Sequence, residues 1–332
     1  MDLQHRIRLL VELGKYILGK NESWQSARQK AFHENPWFTP EFIELATRQI
    51  GEDFLEKSKL ENWINGYNSV EKSGSMKNVG IVMAGNIPLV GFHDFLAVFL
   101  TGHKQTIKPS SKDNILIRHL VDQLYQMDPG TREFISFEEK LKGCDAYIAT
   151  GSNNSARYFE YYFAKYPHVI RRNRTSVAIL DSRETDADLL RLADDVYSYF
   201  GLGCRNITKI YVPEDYDFLP LLNTFSKYNY LADHNKYKNN YDYQLALLIL
   251  NKKFYMTNGS LLVTENASPF SPISVLHFEY YKDIRKVEES LEGNEDIQCV
   301  VGNGRLQFGR AQHPGLKDYA DGIDTVRFLL DL

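Results

Sequence analysis

The chain has 332 residues, 43% of them hydrophobic and 25% charged, with a formal net charge of −4 and a pI near 6.2. That length suggests two domains or one large domain with an excursion, and the apolar share excludes a disordered chain. Lys and Arg are scattered, not gathered into a basic stripe, so the acidic balance argues against nucleic acid as a partner.

Residues 1–70 read as helical: Leu3, Ile7, Leu10, Gly14 and Ile17 recur at helical spacing, and Pro36 and Pro40 interrupt the segment beside Trp37 and Phe38. The stretch EKSGSMKN (71–78) reads as a boundary. The texture then changes. VGIVMAG (79–85), QTIKPS (105–110), DAYIATG (145–151) and TSVAILD (175–181) have the profile of buried parallel strands. Helical segments at 91–103, 114–127, 156–165 and 186–200 alternate with them, which predicts βαβ units in a doubly wound α/β sheet. TKIYVP (208–213) opens a second α/β domain. A helix is predicted at 241–251, with strands at 261–265, 273–281 and 298–304 and a final strand in the tail DTVRFLLDL.

The three cysteines, Cys144, Cys204 and Cys299, are too few and too odd in number for a disulfide framework. They fit no zinc spacing, so no metal is expected, and they suit a reducing, cytoplasmic setting. The N-terminus MDLQHRIRLL shows no signal peptide, and no stretch approaches the ~20 apolar residues of a membrane span.

In a doubly wound sheet ligands bind beyond the carboxyl ends of the strands. Three such ends are distinctive: AGNIP (84–88), KPSSKD (108–113) and TGSNNSA (150–156). In the last, Gly151 permits a turn, while Ser152, Asn153 and Asn154 put donors at a helix N-terminus, where an anion is favoured. The alternative is that these residues only cap the helix. No GxGxxG fingerprint is present. Cys204 lies in FGLGCRNITKIYV, between a helix that Gly201 should end and a strand that follows at once. It is a candidate nucleophile, set against the default reading of a buried, inert thiol. Cys144 and Cys299 read as structural. His93, His103, His119 and His168 are isolated, and nothing in the sequence pairs Glu265 or Glu279.

Four segments in order resemble the aldehyde dehydrogenase superfamily. AGNIPL (84–89) resembles its PWNFPL segment, KPSS (108–111) its KP[SA]E segment, ATGS (149–152) its FTGS segment, and GLGCRNITKIYV (201–212) its GQxCxxxxRVYV nucleophile segment. The nearest branch is that of the acyl-CoA reductases related to the bioluminescence fatty-acid (acyl-protein) reductase. The resemblance runs from about residue 76 onward. It implies an aldehyde dehydrogenase-like α/β fold with a helical region at 1–75, a dinucleotide-binding domain at 76–200, a catalytic domain at 201–305 and an oligomerising tail strand at 306–332. It also implies a homo-oligomer. Cys204 would be the nucleophile and Asn86 the side-chain donor of the oxyanion hole, working with the Cys204 backbone N–H. Lys108 and Ser110 would hold the adenosine ribose, and Gly151 and Ser152 would form the turn beside the cofactor phosphates.

Two departures from the family pattern are informative. Where hydrolytic members carry a glutamate base, this chain has Arg171, which implies slow hydrolysis and a thiol carrier such as coenzyme A or a protein-bound thiol. Where NAD-preferring members carry an acid, it has Ser111 followed by Lys112, which favours NADPH, with NADH as the alternative. The expected activity is therefore reduction of an acyl thioester to an aldehyde. NADP-dependent aldehyde oxidation, acyl-phosphate reduction and a non-catalytic subunit or scaffold remain open at this point. Residues 1–75 and 214–258 do not align with the family.

Overall fold

The computed structural model describes residues 1–67 and 75–332; Glu71–Gly74 of the expected boundary stretch lie outside the described residues. The chain forms two compact units, one of residues 1–173 and 315–332, the other of residues 174–314.

The first unit opens with four helices: α1 (Leu3–Leu18), α2 (Glu22–Glu34), α3 (Pro40–Gln49) and α4 (Lys57–Ile64). Asp2 caps α1 by accepting the His5 amide, and Thr39 caps α3 ahead of Pro40 at its first position. Then follow β1 (Asn78–Val82), α5 (Phe92–Thr101), β2 (Lys104–Lys108), α6 (Ile115–Met127), β3 (Ile135–Phe137), β4 (Ala146–Thr150), α7 (Asn153–Phe163) and β5 (His168–Arg171). The five strands are parallel in the order β3-β2-β1-β4-β5. The order reverses direction between β1 and β4, so the crevice beyond their carboxyl ends is the topological switch point where such sheets bind ligands.

The second unit contains β6 (Thr175–Ile179), α8 (Asp186–Tyr197), β7 (Ile207–Pro213), α9 (Leu219–Phe225), α10 (Asn235–Leu250), β8 (Met256–Thr257), β9 (Leu262–Glu265), β10 (Val275–Tyr281), α11 (Ile284–Leu291) and β11 (Ile297–Gly302). Its sheet runs β11-β6-β7-β10-β9-β8, parallel except for β8 against β9. A reciprocal capping box, Thr185 with Asp188, starts α8. Val287 of α11 packs on Val177, Ile179 and Tyr211 of the sheet face.

The chain ends in α12 (Thr325–Leu330), which belongs to the first unit. Several expectations are corrected here. The tail is a helix, not a strand: Asp324 caps it by accepting the Arg327 amide, and Val326 and Leu329 face inward beside α5. Residues 1–67 are not a separate helical domain. Leu10, Leu13, Trp24 and Trp63 share one core with Val79, Ile81, Ile107 and Ile148 of the sheet and with Leu316 and Val326 of the tail. The change of unit falls at residue 174, not 201, because β6 pairs with β7 and β11 and not with β4 or β5. The short edge strands β3 and β5 were not anticipated. At three to four residues each, they lack the length that a periodic pattern needs to register.

Candidate functional site

The site residues named from the sequence fall in both units.

In the second unit the thiol of Cys204 is half-buried. Helix α8 ends at Tyr197, three residues earlier than the apolar spacing suggested. Ser198 is extended, and Tyr199, Phe200 and Gly201 then turn left-handed at φ 54°, 57° and 75°. Two non-glycine residues in that region cost about 1–2 kcal/mol each. Burying the Tyr199 and Phe200 side chains, at 4% and 1% exposure, offsets this by a comparable ~1.5–3 kcal/mol each.

The turn that follows, Gly203–Asn206, presents the cysteine. Asn206 is fully buried and holds it. Its Oδ1 accepts the Gly203 N–H at 2.8 Å, and its backbone N–H donates to Gly203 O at 3.0 Å. Its Nδ2 donates to the carbonyls of Ser198 (2.7 Å), Asp195 (3.0 Å) and Val196 (3.3 Å), which the broken helix leaves open. One amide side chain therefore ends the helix and shapes the cysteine turn. Asp195 braces it from the other side: its carboxylate accepts the Gly309 and Ala311 amides at 2.7 and 3.0 Å. Burial pushes the Asp195 carboxyl up to about 7, against the lowering by those amides. Ser176 Oγ donates to the Cys204 carbonyl at 3.1 Å and lies 3.1 Å from Cys299 Sγ, so two of the three thiol-bearing residues border one hydroxyl. Cys144 is buried in the first unit, and desolvation raises its thiol.

On the same sheet Lys209 is 1% exposed. Its Nζ donates to Glu279 Oε2 (2.6 Å) and Ala267 O (2.7 Å) and lies 4.6 Å from the centre of the Tyr211 ring. Glu279 thus has a partner that spacing could not reveal, since it comes from a neighbouring strand. The pair floors a cavity of about 550 Å³ walled by Val287 and Leu291; Cys204 is not among its lining residues.

In the first unit the three distinctive strand ends stand on the rim of the parallel sheet. Asn86 is half-buried on the loop after β1. Lys108 and Ser111 are exposed and Ser110 half-buried after β2. Ser152 and Asn153 are exposed after β4, and Ser152 does cap α7, accepting the Ser155 amide at 3.3 Å. The loops after β1 and β2 touch. A Cβ at Gly85 would stand 2.5 Å from Ser110 Oγ, so only glycine permits this approach. These groups suit a dinucleotide: hydroxyls and an ammonium on the rim, with a helix N-terminus beside the switch point.

Arg171 ends β5 but does not face outward. It is 3% exposed, ion-paired with Asp94 of α5, and donates to Thr325 Oγ1 of α12 at 2.8 Å. The position that carries a base in hydrolytic members is here a buried strut. His93 and His103 are likewise internal, their Nε2 atoms 2.9 Å from the carbonyls of Leu316 and Leu329; burial lowers both. Among the described residues no helix is long and apolar enough to cross a membrane, and no three side chains gather as metal ligands.

Asn206 and Asp195 were not singled out from the sequence. The available signals were an Asn two residues after the cysteine and a charged residue on the inner face of a helix, and both are weak.

The fold is that of the aldehyde dehydrogenases. Aldehyde dehydrogenase 21 of Physcomitrella patens, solved with the product succinate, matches with a TM-score of 0.71 at 11% identity over 100% of this chain and 84% of that one. An indole-3-acetaldehyde dehydrogenase of P. syringae, in complex with NAD+, matches at 0.66 and 12% over 91% of this chain and 72% of that one. An NAD+ complex of a Mycobacterium tuberculosis aldehyde dehydrogenase matches at 0.64 and 14%, over 91% and 73%. No curated protein matches the chain. The family model described as acyl-CoA reductase (LuxC) matches residues 41–219, over half of the 332 residues. The chain belongs to the acyl-CoA reductase (LuxC) family.

Proposed function

We propose that this chain reduces an acyl thioester, carried by coenzyme A or a protein thiol, to an aldehyde through an acyl-enzyme on Cys204. The observation that carries this reading is the Gly203–Asn206 turn, in which a half-buried thiol is held by a fully buried amide in a chain of this family. Inert structural cysteines are not usually given such a support.

The Cys204 thiolate attacks the thioester carbonyl; a carbon–sulfur bond forms, and the carrier thiolate leaves as the tetrahedral adduct collapses. The Asn86 side-chain amide and the Cys204 backbone N–H donate to the oxyanion, and one such donor is typically worth ~2.7–4 kcal/mol. When bound, NADPH supplies the hydride that reduces the acyl group. Cys204 then departs as thiolate from the resulting thiohemiacetal and releases the aldehyde. Lys108 and Ser110 hold the adenosine ribose, and Ser111 leaves the neighbouring cofactor position without an acid. Gly151 and Ser152, with the N-terminus of α7, hold the phosphates. Lys112 favours a 2′-phosphate, and so NADPH over NADH.

Arg171 supports the choice of carrier. With its charge committed to Asp94, that position offers no carboxylate to activate water, so the acyl-enzyme is protected from hydrolysis. We also propose that the protein works in the cytoplasm, which its few cysteines suit, and as a homo-oligomer, as the family resemblance implies.

The test is direct. Purified protein is mixed with NADPH and acyl-CoAs of increasing chain length, and loss of reduced-cofactor absorbance is followed. Turnover with release of aldehyde and free thiol is expected. Folded protein that turns over none of the series would refute the reading.

A further inference from the structure

The loop that carries Asn86 is templated at three points by one short segment of chain. Met83 N–H donates to Lys108 O at 3.0 Å. Gly85 abuts Ser110 so closely that a Cβ would collide with its hydroxyl. Leu89 N–H donates to Asp113 Oδ2 at 2.6 Å. The first two partners are backbone and packing; the third is a side chain, and it acts where the loop is strained. Leu89 has φ +56°, a left-handed conformation that a branched residue rarely adopts, and it is 4% exposed. Without Asp113 its buried amide would have no acceptor, and the turn into α5, closed by Phe92 N–H to Leu89 O at 2.9 Å, would lose its anchor.

Asp113 is a costly way to supply that acceptor. It is 6% exposed, and its second oxygen, Oδ1, is buried with no hydrogen-bond partner among the described residues. A buried acid so poorly satisfied detracts from stability and calls for another explanation. Its backbone is also anchored: Asp113 N–H donates to Ser110 O at 3.1 Å, so the residue that grips the Asn86 loop also closes the KPSS turn.

We infer that Asp113 is a positioning residue, whose carboxyl grips Leu89 N–H and so sets the Asn86 amide in register for the oxyanion. This rests on the reading of Asn86 given above. Burial also pushes the Asp113 carboxyl up to about 7, in keeping with a group kept for geometry at the expense of its charge.

The experiment compares wild type with Asp113→Ala, Asp113→Asn, Asn86→Ala and the double variant Asn86→Ala/Asp113→Ala. It measures kcat and KM for an acyl-CoA, binding of NADPH, and hydrogen exchange of the 86–92 amides. Asp113→Ala is expected to lower kcat at least about tenfold with KM and NADPH affinity within about twofold, the pattern of a lost transition-state contact. Asp113→Asn, which keeps an acceptor, restores most of kcat. In the double variant Asp113→Ala adds less than about twofold to Asn86→Ala, because the group it positions is gone. Effects that multiply, or a loss confined to KM or NADPH binding, overturn the inference. Should Asp113→Ala lose its cooperative melt, Asp113→Asn and Asp113→Ser carry the test, and a folded Asn variant as impaired as Asn86→Ala also overturns it. Should wild type show no turnover at all, the reading of the reaction fails, and exchange decides the positioning separately. Faster exchange at residues 86–92 alone in Asp113→Ala supports it, and unchanged protection refutes it.

Discussion

Two loops in this protein are each fixed by a single buried polar side chain, and they are fixed differently. The Cys204 turn of the second unit is held by Asn206, a neutral amide whose oxygen and nitrogen are both used, with Asp195 behind it using both carboxylate oxygens. The Asn86 loop of the first unit is held by Asp113, an acid with one oxygen bonded and the other orphaned. The thiol turn is therefore held by side chains on two sides, whereas the Asn86 loop has one side-chain contact beside a backbone bond and the close packing of Gly85 on Ser110.

The sharpest way to break this comparison is at the proposed nucleophile, Cys204. Cys204→Ala should lower acyl-CoA reduction by at least about 10⁴-fold while the protein stays folded, by analogy with loss of other covalent nucleophiles. Residual turnover near wild type, by the NADPH absorbance assay, would place the chemistry elsewhere. Selective thiol labelling of Cys204 over Cys144 and Cys299, blocked by acyl-CoA, checks the same point without mutation. Asn86→Ala should reduce kcat about 10²–10³-fold with little change in KM, as for removal of an oxyanion donor; a change confined to KM would reassign the residue to binding.

Asn206→Ala strands one amide and several buried carbonyls. It should destabilise the protein by about 3 kcal/mol in urea unfolding, several groups each losing about 1–3 kcal/mol less partial relief by water. A variant as stable as wild type would show that the turn does not need the amide.

A pH series tests the two acids. Both Asp113 and Asp195 are raised to about 7 from an ordinary 3.8, so between about pH 4 and 7 the folded protein holds protons that the unfolded chain has released. Their contribution to stability is greatest below pH 4 and falls as pH rises to about 7, by at most about 1 kcal/mol per pH unit for each group. Asp195→Asn should flatten that slope in Tm measurements across the window; an unchanged slope would mean that Asp195 is ionised throughout. The smallest effect is expected at Lys112. Lys112→Ala should reduce kcat/KM with NADPH about two- to fivefold, roughly the value of one exposed phosphate contact, and leave the value with NADH alone.

Much of this was legible in the sequence. VGIVMAG, QTIKPS and DAYIATG are continuous apolar runs because both faces of a parallel strand are buried, and their ends marked the rim on which Asn86, Ser110 and Ser152 now stand. The four motifs in order pointed to the superfamily fold. Elements with a clear burial pattern came out at nearly the predicted residues, as α6 and β10 did.

What failed did so for physical reasons. DTVRFLLDL has the apolar content of a strand and forms a helix, because a six-residue run fits either period and only its place beside α5 decides. Helix α8 stops short of Phe200 because the Asn206 amide, reached across a turn, competes for its last carbonyls. What Arg171 does in the fold was not legible either, because its partner Asp94 lies 77 residues away in sequence and adjacent in space. Composition and local pattern determined by themselves the α/β class, the strand ends and the candidate thiol, since these depend on burial and on neighbours a few residues apart. Which polar groups meet inside the folded chain, Asn206 with α8 and Asp113 with Leu89, only the tertiary structure decided, since such pairs carry no periodicity.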